Sequence, residues 1–184
     1  MLVVNFDPFP MLFTERLMLR QILTADAPAI FALRCNKEAM QFIDRPMAVS
    51  IDDALQYIHK LTDSLTTNEG ISWGVCLKDG ATLIGTIGFW RIDKANYRAE
   101  IGYMLHPSQH KKGLMQEAIS ATLDYGFTTM RLHSVEANIN PANEASKKIL
   151  EKNNFLQEAF FRENYYYNGQ FLDSSIYSLL NPLG

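Results

Sequence analysis

Cysteine is scarce in this chain, with only Cys35 and Cys76 among 184 residues. Two thiols in apolar surroundings make neither a disulfide framework nor a metal set, and both read as small core residues. Histidine is equally thin. Positions 59, 106, 110 and 133 show no ligand spacing with a partner, so no metal is expected. Basic residues are in no excess: 17 Lys and Arg stand against 20 Asp and Glu, a formal charge of −3. That balance argues against nucleic acid or an anionic membrane as the main partner. No apolar run approaches a membrane span, and Met1 to Pro10 lacks the basic start of a signal peptide. A reducing cytoplasm is the default compartment. No repeat, linker or low-complexity tract divides the chain, and its length suits one domain, 1–184, with a sizeable core.

What is present is organised around Ala99 to Met130. The first part alternates as a strand: Ile101, Tyr103 and Leu105 point one way, and Glu100, Gly102, Met104 and His106 the other. Pro107 ends it, because proline cannot donate to a ladder. After His110-Lys111-Lys112-Gly113 come Met115, Ile119, Leu123, Phe127 and Met130, one face of a long helix. A glycine turn feeding a helix N-terminus suits an anion, since the first amides are unpaired and the dipole is positive there. Taken alone, the same four residues also read as a solvated turn with two surface lysines.

Around this unit the pattern predicts a first strand over Leu12–Ile22 and a helix capped by Thr24 and running to Arg34. Residues 35–47 read as irregular, and a capping box at Ser50 to Asp53 opens a helix to about Thr66. Strands follow at Ser72–Leu77 and Thr82–Ile92, joined by Lys78-Asp79-Gly80, whose Asp-Gly supplies the positive φ of a tight turn. Leu132–Ala137 is a further strand. Asn140-Pro141 then reads as the start of a helix to Lys152 that buries Ala145, Ile149 and Leu150. Asn153-Asn154 ends it, and Phe155–Tyr167 and Gln170–Leu180 form a hairpin across Asn168-Gly169. The expected fold is α/β, a mixed and mainly antiparallel seven-stranded sheet with helices on its faces.

The residues GxIGFW, AEIGYML, HKKGLMQEA, LDYGF, HSVEANINPANEASKKILEKNNF and YYYNGQFLDSSIYSLL occur in this order. Together they resemble the GNAT acyltransferases, and most closely the Rim-type branch that acetylates the N-termini of ribosomal proteins. The resemblance runs from about Phe13 to Leu180. It implies a fold in which the central strand and the strand after the long helix splay apart, with acetyl-CoA entering the gap. It implies an enzyme that passes an acetyl group to a primary amine on a protein N-terminus, a peptide or a small molecule. Relatives are often dimers, so the resemblance is compatible with a homodimer and leaves the oligomeric state open. The alternative is a GNAT-fold module that binds acyl-CoA without turnover.

The family pattern for the pyrophosphate loop is Gln/Arg-x-x-Gly-x-Gly/Ala. Aligned on Gly113, this chain has His110, Lys111, Lys112, Gly113, Leu114 and Met115, with His110 and Met115 departing from the pattern. Met104, Leu105 and His106 are implied as the strand edge that pairs with pantetheine. Asn138 is implied as a further cofactor contact, and Asn143 and Ser146 match the family's N-x-x-S, with Asn143 also readable as a helix cap. The resemblance to the Rim-type branch implies Ser146, the serine of N-x-x-S, as the donor that protonates the CoA thiolate; Leu150 stands where many other relatives carry a tyrosine. Glu100 is the first candidate for a base, against the alternative of a strand carboxylate paired with Arg91 or Arg98. His106 and His133 rank below it. The position of a base found in some ribosomal acetyltransferases holds Tyr165, with Glu163 shifted by two.

Overall fold

The computed structural model describes residues 1–182, so the last two residues of the expected 1–184 domain lie outside the described residues. An eight-stranded sheet runs in the order β1-β2-β3-β4-β5-β6-β8-β7. Its strands are β1 (Leu12–Phe13), β2 (Leu17–Gln21), β3 (Ile71–Leu77), β4 (Leu83–Asp93), β5 (Arg98–Leu105), β6 (Ser134–Ile139), β7 (Leu156–Tyr167) and β8 (Gln170–Leu180). Every pairing is antiparallel except that of β5 with β6.

Helices cover both faces. The α1 (Ala27–Arg34), α2 (Lys37–Met40) and α3 (Ile51–Thr66) helices bury Ile30, Leu33, Met40 and Ile58 in one core with Met104 and Leu83. The α4 (Leu114–Thr128) and α5 (Glu144–Lys152) helices bury Ile119, Leu123, Phe127 and Leu150 in a second core with Ala99, Ile101 and Leu105. The alternation of β5 therefore decides the two faces: odd-numbered residues meet α4 and α5, and Met104 meets α1 and α3.

Eight strands replace the expected seven because Leu12–Ile22 is not continuous. Leu12 pairs back on Leu19 and Phe13 on Met18, with the chain reversing at Thr14 to Arg16. The Thr14 Oγ1 hydroxyl accepts from the Leu17 amide at 2.9 Å, which stabilises that reversal. Thr24 does not cap α1. It opens a single turn over Thr24–Asp26, and Asp26 takes the Leu23 amide at 2.8 Å. The stretch read as irregular contains α2, capped by Asn36, which accepts from Glu38 and Ala39. The Ser50–Asp53 capping box is present in both directions.

The α5 helix begins at Glu144, not at Asn140-Pro141. Asn140 Oδ1 takes the Ala142 amide at 2.9 Å and holds a separate turn, and Asn143 caps the helix. That phase buries Ser146 and Leu150 and leaves Ala145 exposed. The Leu77–Gly80 turn closes at 3.0 Å without any positive φ at Asp79 or Gly80. Asn168 and Gly169 do take positive φ, 48° and 87°, and Tyr167 pairs with Gln170, as an Asn-Gly hairpin requires.

Candidate active site

The parallel contact between β5 and β6 is short. It comprises Arg98 with Ser134, Ala99 with Val135 and Glu100 with Glu136, and then the strands part. Among the described residues, β5 beyond Glu100 has a strand partner on its β4 side only. The gap opens at the C-terminal ends of both strands. The helices that follow each strand, α4 and α5, start at that same end, so two helix N-termini flank it.

Among the described residues no side chain caps α4. Gly113 precedes it with φ 74°, and Lys111 has φ 61°, so the chain turns sharply before presenting the first helical amides. Only glycine holds the Gly113 conformation at little cost. Lys112 Nζ donates to Gln109 at 2.9 Å, while Lys111 has no partner among the described residues. His110 Nε2 donates to the Leu105 carbonyl at 2.9 Å, which pins the loop to the end of β5. The side chain thus ties the loop to the strand end. Leu114 and Met115 are buried in the core under the loop, and Met104 and Leu105 are buried at the strand end. His106 takes the Ser108 amide on Nδ1 and caps the Pro107–Gln109 turn.

Glu100 is only 4% exposed, although it lies on the α1–α3 face of β5. Burial pushes its carboxyl up to about 7; Arg91, 3.2 Å away, and Arg45 pull it down, and Glu136 pushes it further up. Asn138 is exposed two residues beyond Glu136, on the same face of β6. Ser146 lies under the opposite face. Its amide donates to Asn143 Oδ1 at 3.0 Å, and its Oγ sits 2.6 Å from the Tyr103 phenol. A buried carboxyl and a buried hydroxyl therefore stand on opposite faces of the sheet, near the fork between β5 and β6.

Three features had no local signal. Arg16, in the β1–β2 turn, donates to the Lys112 carbonyl at 2.9 Å and pairs with Glu117 of α4 at 2.7 Å. Burial alone would raise the Glu117 carboxyl, but hydrogen bonds from Thr14 and Arg16 outweigh it and hold the group below its ordinary value. Tyr165 donates to Asp44, joining the α2–α3 loop to β7 on the Glu100 side. Burial and the Asp44 carboxylate push that phenol up, so Tyr165 is no ready base. A bulge at Phe161 to Tyr165 sets this aim, with exposed Glu163 at φ 49° inside it. Tyr166 is exposed and packs edge-on against Phe171.

A surface cavity of about 470 Å³, lined by Tyr97, Phe127, Arg131 and His133, lies at the opposite end of β5 and β6 and touches none of these groups. His133 belongs there, away from the gap. A smaller one of about 230 Å³ adjoins the loop at His106, Ser108 and Gln109. Among the described residues no group of His, Cys, Asp and Glu could hold a metal. None of their helices is long and apolar enough to cross a membrane.

The acetyltransferase (GNAT) domain matches residues 16–156. The chain belongs to the GNAT acetyltransferase family. It is 38% identical over 174 residues to the uncharacterized N-acetyltransferase YoaA of Bacillus subtilis, covering 95% of this chain and 98% of that one. It is 28% identical over 111 residues to the ribosomal protein uS5-alanine N-acetyltransferase of Escherichia coli, covering 60% of this chain and 57% of that one. A crystallised RimL, a ribosomal L7/L12 alpha-N-protein acetyltransferase in complex with coenzyme A, superposes with a TM-score of 0.84 at 20% identity, over 93% of this chain and 98% of that one. This GNAT chain is an N-acetyltransferase with a gap between β5 and β6.

Proposed function

We propose that this acetyltransferase moves the acetyl group of acetyl-CoA to a neutral amine, preferring the N-terminal amine of a protein, with a ribosomal protein as the expected acceptor. The observation that carries the reading is Glu100, buried at the fork of β5 and β6 with its carboxyl pushed up to about 7. An N-terminal amine loses its proton near 7.7–8.0, whereas lysine needs about 10.4. A carboxylate that ionises near 7 matches the first and is poorly suited to the second. The 28% identical uS5-alanine enzyme supports the same acceptor class.

Acetyl-CoA fits the residues present. The uncapped N-terminus of α4 with Gly113 and Lys111 would hold the pyrophosphate, and the unpaired edge of β5 at Met104 to His106 would take pantetheine. Asn138 and Asn143 would flank the arm from β6 and α5. When bound, acetyl-CoA supplies a thioester as the activated acyl group. Glu100 accepts the amine proton, directly or through water, while a β5 amide near Met104 polarises the carbonyl and Ser146 protonates the sulfur. The protein would act as one domain, 1–184, in the cytoplasm.

Calorimetric titration with acetyl-CoA, with ATP as control, tests cofactor binding, and CoA release tests turnover on two peptides. One has a free N-terminus and no lysine; the other has a blocked N-terminus and one lysine. Acetyl-CoA binding that ATP does not mimic, with CoA release on the first peptide, is the expected result. Binding without release on any amine would instead indicate a silent acyl-CoA module. No binding at all would remove both readings.

A further inference from the structure

We infer that Tyr103 is a positioning residue for thiolate protonation: its phenol donates to Ser146 Oγ and leaves the Ser146 proton aimed at the departing sulfur. The inference rests on the acetyl transfer proposed above and on Ser146 as the donor.

The two oxygens are 2.6 Å apart, and neither has another hydrogen-bond partner among the described residues. Ser146 is 7% exposed. Two hydroxyls carry two protons, and the bond between them uses one. A buried O–H left without an acceptor is costly, so the second proton calls for a ligand. A phenol is the more acidic of the two, with a reference value of about 10, and the alcohol oxygen is the better acceptor. Donation therefore runs from Tyr103 to Ser146, and the spare proton is on Ser146. The geometry is held from both sides. Tyr103 is fixed on β5 by pairing with Ile87 of β4. Ser146 is fixed by the Asn143 cap and by Leu150, fully buried one turn further on. Burial pushes the phenol up to about 12, against the opposing Ser146 bond, so Tyr103 enters the step protonated.

The step balances. As the amine nitrogen bonds to the acetyl carbon, the carbon–sulfur bond breaks and its electron pair stays on sulfur. Ser146 gives its proton to that sulfur, and Ser146 Oγ takes the Tyr103 proton. The phenolate regains a proton from water, and the proton lost by the amine leaves through Glu100. A chain of two polarised hydroxyls is a better donor than an isolated alcohol.

The test uses Tyr103→Phe, Ser146→Ala, Ser146→Thr and the double variant Tyr103→Phe/Ser146→Ala. The first readout is the pKa of the thiol of bound CoA, followed by the ultraviolet absorbance of the thiolate. The second is kcat. Desulfo-CoA affinity, which involves no thiol, reports whether each variant keeps its site. Tyr103→Phe and Ser146→Ala are each expected to raise the bound thiol by about one unit and to lower kcat about tenfold or more, with desulfo-CoA affinity unchanged. Ser146→Thr keeps the hydroxyl and should keep the thiol value. The double variant should be no worse than Ser146→Ala, because the two groups act in series. A Tyr103→Phe protein with wild-type thiol pKa and kcat overturns the inference, as do additive losses in the double variant. If the wild-type protein binds no acetyl-CoA and releases no CoA, the acyl-transfer reading itself fails, a result distinct from either.

Discussion

Glu100 and Glu136 face each other in the last register pair that β5 and β6 share, and the strands part immediately beyond them. Two carboxylates held side by side cannot both ionise freely, and the more buried one yields. Glu100 is that one, pushed up to about 7 by burial and by Glu136 against the pull of Arg91. As a base it works only when ionised. Below about 7 the acetylation rate is expected to fall by about a further tenfold per pH unit beyond the loss caused by protonation of the amine itself, measured as kcat/KM for an N-terminal peptide. Glu100→Gln removes that limb, is slow near neutrality and recovers at higher pH, where the amine sheds its proton unaided. Matching pH profiles for the two proteins would leave Glu100 with its Arg91 contact alone.

The same carboxyl has a consequence for stability. Its folded pKa lies above the unfolded value of about 4.3, so the folded state binds the extra proton between roughly pH 4.3 and 7. The stability linked to Glu100 is therefore fully present below the unfolded value and is lost as pH rises through about 7. Glutamine carries no such penalty. The melting temperature of Glu100→Gln relative to wild type should climb from pH 4.5 to pH 7 and then level off. A pH-independent difference would contradict the burial cause.

Gly113 holds φ 74° at the entrance to α4. Gly113→Ala puts a Cβ into the left-handed region and should cost about 1 kcal/mol in denaturant unfolding. The space itself is open, since the nearest atom to that Cβ is Arg16 Nη2 at 3.5 Å. Gly113→Glu adds an anion where a pyrophosphate would sit. It should abolish acetyl-CoA binding in a protein that still melts cooperatively, and unchanged affinity would remove the loop from the site.

Arg16 braces this loop from the β1–β2 turn through the Lys112 carbonyl and Glu117. Arg16→Ala leaves the loop amides in place but frees their carbonyl tether. Acetyl-CoA affinity should drop by roughly tenfold, the worth of one charge-assisted hydrogen bond, with kcat at saturation nearly unchanged. A fall in kcat alone would show that Arg16 acts elsewhere.

Short-range backbone chemistry was legible in the chain as written. The Asn168-Gly169 hairpin, the Ser50–Asp53 capping box, the alternation of β5 and the glycine ahead of α4 each depend on neighbours a few residues away. Boundaries decided by competing caps were less legible. Asn140 and Asn143 both suit a cap, and the phase that buries Ser146 and Leu150 against the sheet selects Asn143. Pairings across the fold were not legible at all. Glu100 could be read as a base or as an ion-pair partner, and it is both buried beside Glu136 and bonded to Arg91. Tyr103 meets Ser146 across 43 positions, and Arg16 meets Glu117 across 101. Local sequence thus determined the elements and their turns, because backbone sterics and capping act within a few residues. Only the tertiary structure decided which hydroxyls and carboxylates meet, because strand register and helix docking set distances between residues far apart in the chain.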